Sequence, residues 1–229
     1  MAASLLAVSI VVPAVAGSFQ VNPVQIVLQP GKTITSVTIR NSEREKVAVQ
    51  VLTYRWTQVG GDDVYTPTED LIVSPPIFAI PASGKQLVRV GLRRRMPGAA
   101  YRVIFEEIPR PAKENVIQVA LRLNLPLYVL AAREGVPILR WSATRDAAGD
   151  LILEARNDGT RHAQITAIAL VDPAGRKTML TTAMGVVLPA SMRRWKIGRH
   201  PELAAGADLQ LSVRSSSGED RIMAKLANR

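Results

Sequence analysis

Residues 115–128 read NVIQVALRLNLPLY, and their period decides the fold. Ile117, Val119, Leu121, Leu123, Leu125 and Leu127 take every second position, with Gln118, Ala120, Arg122, Asn124 and Pro126 between them. Successive side chains of a strand point to opposite faces, so this is one aliphatic ridge backed by small or polar residues. Wound as a helix, the same residues would encircle the cylinder and leave no polar face. Pro126 cannot donate to a ladder, which places it on an edge strand, at a strand end or at a bulge. A long aliphatic edge is a liability unless something covers it. The ridge therefore either faces its own core or is offered to a partner.

Working outward, strands and turns fill the rest of the chain. Residues 36–39, 47–56, 71–73, 77–80, 86–90 and 101–105 are short β-branched or aliphatic runs, separated by Asn41-Ser42, Gly60-Gly61-Asp62-Asp63, Ser74-Pro75-Pro76 and Pro81…Gly84. One X-Pro bond at Ser74-Pro75-Pro76 suits a cis turn. About seven strands at this spacing predict an all-β sandwich. Residues 130–137 (LAAREGVP) read as a linker, after which the pattern restarts at Trp141 and runs to Val213. Asn157-Asp158-Gly159, Pro173…Gly175 and Ser217-Gly218 mark its turns. Two sandwiches are expected, at residues 17–132 and 133–229, with no convincing internal repeat between them.

Composition narrows the function. Hydrophobic residues make up 47% of 229 positions and aromatics only 4%, so both cores must be built from Val, Leu, Ile and Ala. The net charge of +10 would suit an anionic partner. However, apart from Arg93-Arg94-Arg95 the cations are scattered over alternating strand positions, with no aromatic interleaving and no nucleic-acid motif. A solvated basic face is expected, and no nucleic acid. With no cysteine there is neither a disulfide nor thiolate chemistry, and the sandwiches must stand on burial alone.

The N-terminus carries an apolar core at residues 5–12 and Ala14-Val15-Ala16, small residues at the −3 and −1 positions of a cleavage site. A secretory signal peptide over residues 1–16 is expected, although no Lys or Arg precedes its apolar core. No stretch is long enough to span a bilayer as a helix.

No catalytic constellation is present. His162 and His200 are far apart, and neither has a neighbour at metal spacing. No nucleophile elbow, phosphate loop or dinucleotide fingerprint occurs. Glu106 and Glu107 would face opposite sides of a strand, which does not make an acid–base pair. The chain is read as a non-enzyme without a cofactor or metal.

A family resemblance then emerges from the residues in order. Val37-Thr38-Ile39-Arg40-Asn41 is followed by Val73-Ser74-Pro75-Pro76-Ile77-Phe78, Pro81…Gly84 and Leu87-Val88-Arg89-Val90. Next come Tyr101 to Pro109 (YRVIFEEIP) and Asn115 to Leu121 (NVIQVAL). Asn157-Asp158-Gly159 and Val187-Leu188-Pro189-Ala190…Arg194-Trp195 follow in the second half. In this order the chain resembles the PapD-like chaperones of the chaperone–usher pathway, built from two immunoglobulin-like domains in a boomerang.

That resemblance implies a periplasmic chaperone that binds pilin-like subunits by lending them its own edge strand, and hands them to an outer-membrane usher. Strand addition of this kind is a general recognition mode. The resemblance aligns Ile117, Val119 and Leu121 with the family's donor residues, and Leu123 and Leu125 extend the series. It also implies an anchor for the subunit's terminal carboxylate. Most members place an Arg and a Lys there, but Gln25 and Pro126 stand at those positions. The departure points to the divergent archaic branch, with Arg89 or Arg122 as substitute carboxylate contacts. Self-association of the free chain is a further expectation. The alternative is a secreted immunoglobulin-like structural or adhesive protein. Such a subunit would lack one strand, and such an adhesin would present clustered aromatics.

Overall fold

A computed structural model describes residues 19–109, 119–131 and 133–227. The expected signal peptide and Ile117 lie outside the described residues. No helix occurs among those described, and the chain forms two β-sandwiches.

The first sandwich contains β1 (Phe19–Asn22), β2 (Ile26–Leu28), β3 (Ile34–Asn41), β4 (Val47–Val59) and β5 (Asp62–Pro67). It continues with β6 (Leu71–Ser74), β7 (Ile77–Ile80), β8 (Lys85–Leu92), β9 (Ala100–Ile108) and β10 (Arg122–Val129). One sheet runs β1-β3-β8-β6; the other runs β2-β10-β9-β4-β5, with β7 also on β4. Alternation drives the packing. Val37 and Ile39 of β3, Val88 and Val90 of β8, and Val103 and Phe105 of β9 point inward and close one core. The β4–β5 turn is the two-residue Gly60-Gly61 loop, both at positive φ (62° and 96°), which the right-handed twist of a tight hairpin favours. Ser74-Pro75 is cis as expected, and Asn22-Pro23 is cis as well.

The second sandwich contains β11 (Leu139–Arg145), β12 (Asp150–Asn157), β13 (Ala163–Val171) and β14 (Lys177–Thr181). β15 (Gly185–Val187), β16 (Met192–Arg199), β17 (Asp208–Ser215) and β18 (Gly218–Lys225) complete it. Its sheets run β11-β12-β16 and β14-β13-β17-β18, with β15 on β13. Leu151, Leu153, Ile165, Ile168, Leu211 and Trp195 fill the space between them.

The structure carries a correspondence that the sequence does not display. Asn41 ends β3 and Asn157 ends β12, and both are fully buried. Asn41 Nδ2 donates to the carbonyls of Glu45 (2.7 Å), Ile80 (3.3 Å) and Pro81 (3.1 Å), while its Oδ1 accepts from Glu43 N (2.9 Å). Asn157 Nδ2 donates to the carbonyls of Arg161 (2.7 Å) and Val187 (3.1 Å), and its Oδ1 accepts from Ile138 N (3.1 Å) and Gly159 N (2.9 Å). Beside each asparagine a turn holds a non-glycine residue at φ 55°, Ser83 in one half and Ala190 in the other. The second corner is packed so closely that a Cβ on Gly159 would lie 2.3 Å from the Val136 carbonyl oxygen. Asn157→Ala, which orphans several buried backbone groups at once, is expected to cost about 2–3 kcal/mol in urea unfolding. An unchanged midpoint would mean that the corner holds without its side chain.

Candidate functional site

The ridge strand is shorter than the sequence pattern implies. The expectation ran from residue 115 to 128, whereas the observed strand is Arg122–Val129, and residues 110–118 lie outside the described ones. Within it the ridge divides. Leu125 and Leu127 are 3% and 0% exposed and belong to the first sandwich's own core. Leu125 is therefore not offered to a partner here, because the opposite sheet already covers it. Leu123 is half-buried at the rim of that core, Leu121 is half-buried, and Val119 is 66% exposed. One face of one strand begins as core and then outruns the sandwich.

Backbone pairing makes the overhang an open edge. β10 pairs antiparallel with β9 from Arg122↔Glu106 to Tyr128↔Ala100, while on its other side β2 covers only Leu127 to Val129. Glu107 N donates to the Leu121 carbonyl at 2.9 Å, and Val129 N to the Ala99 carbonyl at 2.9 Å. Antiparallel ladders bond at alternate residues. The odd positions therefore bond to β9, and the N–H and C=O of Arg122 and Asn124 face the uncovered side. Pro126 falls among these even positions, so its missing N–H costs the β9 ladder nothing. The edge expected from Pro126 is present. Glu107 also reaches the start of the overhang, where its Oε2 accepts from Leu121 N at 3.1 Å.

Neither candidate arginine shares a surface with the ridge. Arg122 lies on the outer face of its sheet, 3.6 Å from the Glu106 carboxylate, which also accepts from Gln50 Nε2 at 2.8 Å. Arg89 is on β8 in the other sheet, pointing outward between Val88 and Val90, which are fully buried. The structure does not bring the two together.

It does bring Gln25 and Pro126 together. Both line a cleft of ≈ 410 Å³ between the sandwiches, with Arg102, Tyr128 and Arg193. Arg102 sits opposite Pro126 on β9. Its guanidinium lies 3.8 Å over the Trp56 ring, its Nη2 donates to the Tyr65 hydroxyl at 3.5 Å, and its buried Nε has no partner among the described residues. Arg193, in contrast, is neutralised by Asp63 at 2.5 Å. Residue-type reasoning passed over Arg102 because it is one cation among many. Its position across the ladder from Pro126 appears only in the register of β9 and β10.

The cleft's walls are held by contacts between the two halves. Asp63 accepts from Trp56 Nε1 (2.9 Å) and Gln58 Nε2 (2.9 Å) as well as from Arg193. Burial alone would raise the Asp63 carboxyl; the hydrogen bonds from Gln58, Arg193 and Trp56 outweigh it and hold the carboxyl below its ordinary value. The Gln58 amide also bonds to β15 and the residue after it, donating to the Val186 carbonyl (2.7 Å) and accepting from Leu188 N (3.0 Å). Trp56, Ala100, Tyr128 and Leu188 form a small separate core at this junction. Tyr128 stacks on His162 with ring centroids 3.5 Å apart and 9° between planes. His162 sits just before β13, and nothing in its sequence neighbourhood announces this contact.

An all-β protein of two sandwiches, with an open aliphatic edge leading into the cleft between them, is thus defined. Residues 18–130 match the family model for the pili and flagellar-assembly chaperone, PapD N-terminal domain, and the chain belongs to this chaperone family. Solved structures agree in fold. A chaperone–tip adhesion subunit pre-assembly complex from archaic chaperone–usher Csu pili of Acinetobacter baumannii matches with a TM-score of 0.70 at 22% identity, covering 93% of this chain and 99% of that one. The YadV chaperone matches at 0.62 and 16% identity, covering 91% and 99%. The SafA pilin–SafB chaperone complex of Salmonella enterica matches at 0.61 and 13%, covering 94% and 99%. A search of curated protein sequences found no match.

Proposed function

We propose that this chain is a periplasmic chaperone of the archaic branch that holds pilin-like subunits on the open edge of β10 and passes them to an outer-membrane usher. The observation that carries the reading is the divided ridge. Leu125 and Leu127 anchor the strand in its own core while Val119, Leu121 and Leu123 project along an unpaired edge. A subunit strand lying there would find main-chain partners at Arg122 and Asn124 and an aliphatic side chain at every second position. Each such side chain contributes about 1.5–3 kcal/mol gross when buried, before ordering costs. Ile117 would lengthen the series, and in a free chain the same edge is open to a second copy.

Arg102 is the better candidate for a terminal carboxylate than Arg89 or Arg122. It lies in the cleft beside Gln25 and Pro126, next to the end of the open edge. A partly buried guanidinium forms strong charge-assisted bonds to a carboxylate. A carboxylate at that end of the edge requires the bound strand to run parallel to β10. Arg102→Ala should weaken capture of a native subunit by about tenfold or more. It should have no effect on a subunit whose C-terminus is extended by several residues. Equal losses for both would remove Arg102 from the contact.

The reading as a whole is tested by periplasmic co-expression with a tagged pilin-like subunit. A soluble one-to-one complex supports it. Subunit recovered only as aggregate, with this chain present and folded, refutes it.

A further inference from the structure

The second sandwich is left open along one side. β11 bonds only to β12 and β18 only to β17, so each presents a free edge to the other. Among the described residues the two edges meet at one parallel bridge, Ala143 to Leu226, where Ala227 N donates to the Ala143 carbonyl at 2.9 Å. Back along both strands from that bridge a cavity of ≈ 530 Å³ opens between the sheets. It is distinct from the cleft described above, with which it shares only Gln25 and Gln164. The stacked rings of Tyr128 and His162 separate the two, Tyr128 lining the cleft and His162 the cavity.

The lining continues the core and then breaks into charge. Leu139 and Trp141 of β11 and Ile222 of β18 line the cavity over the fully buried Ile165, and Trp141 is stacked on Trp195 at 5.6 Å. Asp220 pairs across the sheet with Val213, a core residue, so its carboxylate takes the inward face. Arg161 is half-buried just ahead of β13. Neither charge forms an ion pair among the described residues, although both line the same cavity. The row Ile165–Ser215–Gly218 lies between them, with Arg161 four positions to one side and Asp220 two to the other. That is up to roughly 20 Å along the strands, shortened by the reach of the two side chains.

We infer that this cavity binds a short apolar peptide with free ends, its carboxylate on Arg161 and its ammonium beside Asp220. The span suits about four residues of extended chain at about 3.3 Å each. An elongated zwitterion meets both charges at once, whereas a simple acid or amine would leave one of them unmet. Carboxylate on guanidinium is among the stronger charge-assisted contacts. Aliphatic side chains would rest on Leu139, Trp141 and Ile222; ligand pockets of this size are mostly apolar with a few placed polar groups. The free edges of β11 and β18 offer main-chain partners to the peptide backbone. The walls named belong to the second sandwich, so filling the cavity does not require an occupied β10 edge.

The test titrates the tetrapeptide Ala-Leu-Val-Ala into nitrogen-15-labelled protein and follows the tryptophan indole signals. Trp141 reports the cavity and Trp56 the cleft. The Trp141 signal should move and the Trp56 signal stay, in wild type and in Leu121→Asp alike. Amidating the peptide's C-terminus should weaken binding about tenfold on wild type and leave it unchanged on Arg161→Ala. Acetylating its N-terminus should weaken binding about tenfold on wild type and leave it unchanged on Asp220→Ala. A peptide that moves Trp56 and not Trp141 sits in the cleft, and one that moves neither does not bind; each result overturns the proposal. Binding that survives blocking of both ends also overturns it, and assigns the cavity to an internal stretch of a longer polypeptide.

Discussion

Leu121→Asp is expected to lose subunit capture by about a hundredfold or more while remaining within about 0.5 kcal/mol of wild-type stability. The two halves of the prediction have separate causes. Leu121 lies beyond the end of β10 and is only half-buried, so the folded chain gives up little when it becomes polar. In the complex its side chain would enter an apolar groove. There the variant loses about 1.5–3 kcal/mol of burial and adds the desolvation of an unpaired carboxylate. Leu127→Ala should do the reverse. Leu127 is 0% exposed in the first core, and truncating a leucine there costs about 2–5 kcal/mol. Pull-down yield and urea midpoints on both proteins decide the matter. If Leu121→Asp is as destabilised as Leu127→Ala, the whole ridge is core; if it captures subunit normally, the subunit sits elsewhere.

The second large effect is with pH. Burial, and then the charge of Arg161, push the His162 imidazole from its ordinary 6.5 down to about 4. Between those values the unfolded chain holds a proton that the folded chain does not, so stability is complete above 6.5 and falls as the solution is acidified toward 4. The difference is about 3 kcal/mol across the window. His162→Phe keeps a ring against Tyr128 and removes the titration. Its unfolding free energy should therefore be flatter than wild type between pH 6.5 and 4 when measured by urea at each pH. Parallel curves for the two proteins would assign the acid sensitivity to other groups.

The all-β architecture was legible because alternation is a local signal: each strand shows its inner and outer faces in its own residues. The ridge was legible for the same reason, and its division was not. Leu121 and Leu125 are the same residue type on the same face, and only the extent of the opposite sheet distinguishes a covered leucine from an uncovered one. The placement of the candidate arginines was hidden for a related reason. Arg89 lies in a recognisable segment, but only the sheet order shows that β8 belongs to the sheet opposite β10. That Arg102 stands across from Pro126 could not be read in advance, since cross-strand neighbours appear only once the register is known. The asparagine corners escaped notice because Asn41 and Asn157 sit in dissimilar sequence, and a repeated hydrogen-bond pattern needs no repeated text.

Pro126 divides β10 into two kinds of backbone. Beyond it the strand is bonded to β9 on one side and β2 on the other; before it, every second amide faces open solvent. In deuterated water the amides of Arg122 and Asn124 should therefore exchange rapidly, and those of Leu125, Leu127 and Val129 slowly, with the border at the one residue that has no amide to exchange. A strand that arrives to lie along β10 would slow Arg122 and Asn124 and change little past the proline. Occupancy of this edge can thus be read residue by residue on the bound chain, without a label on whatever it carries.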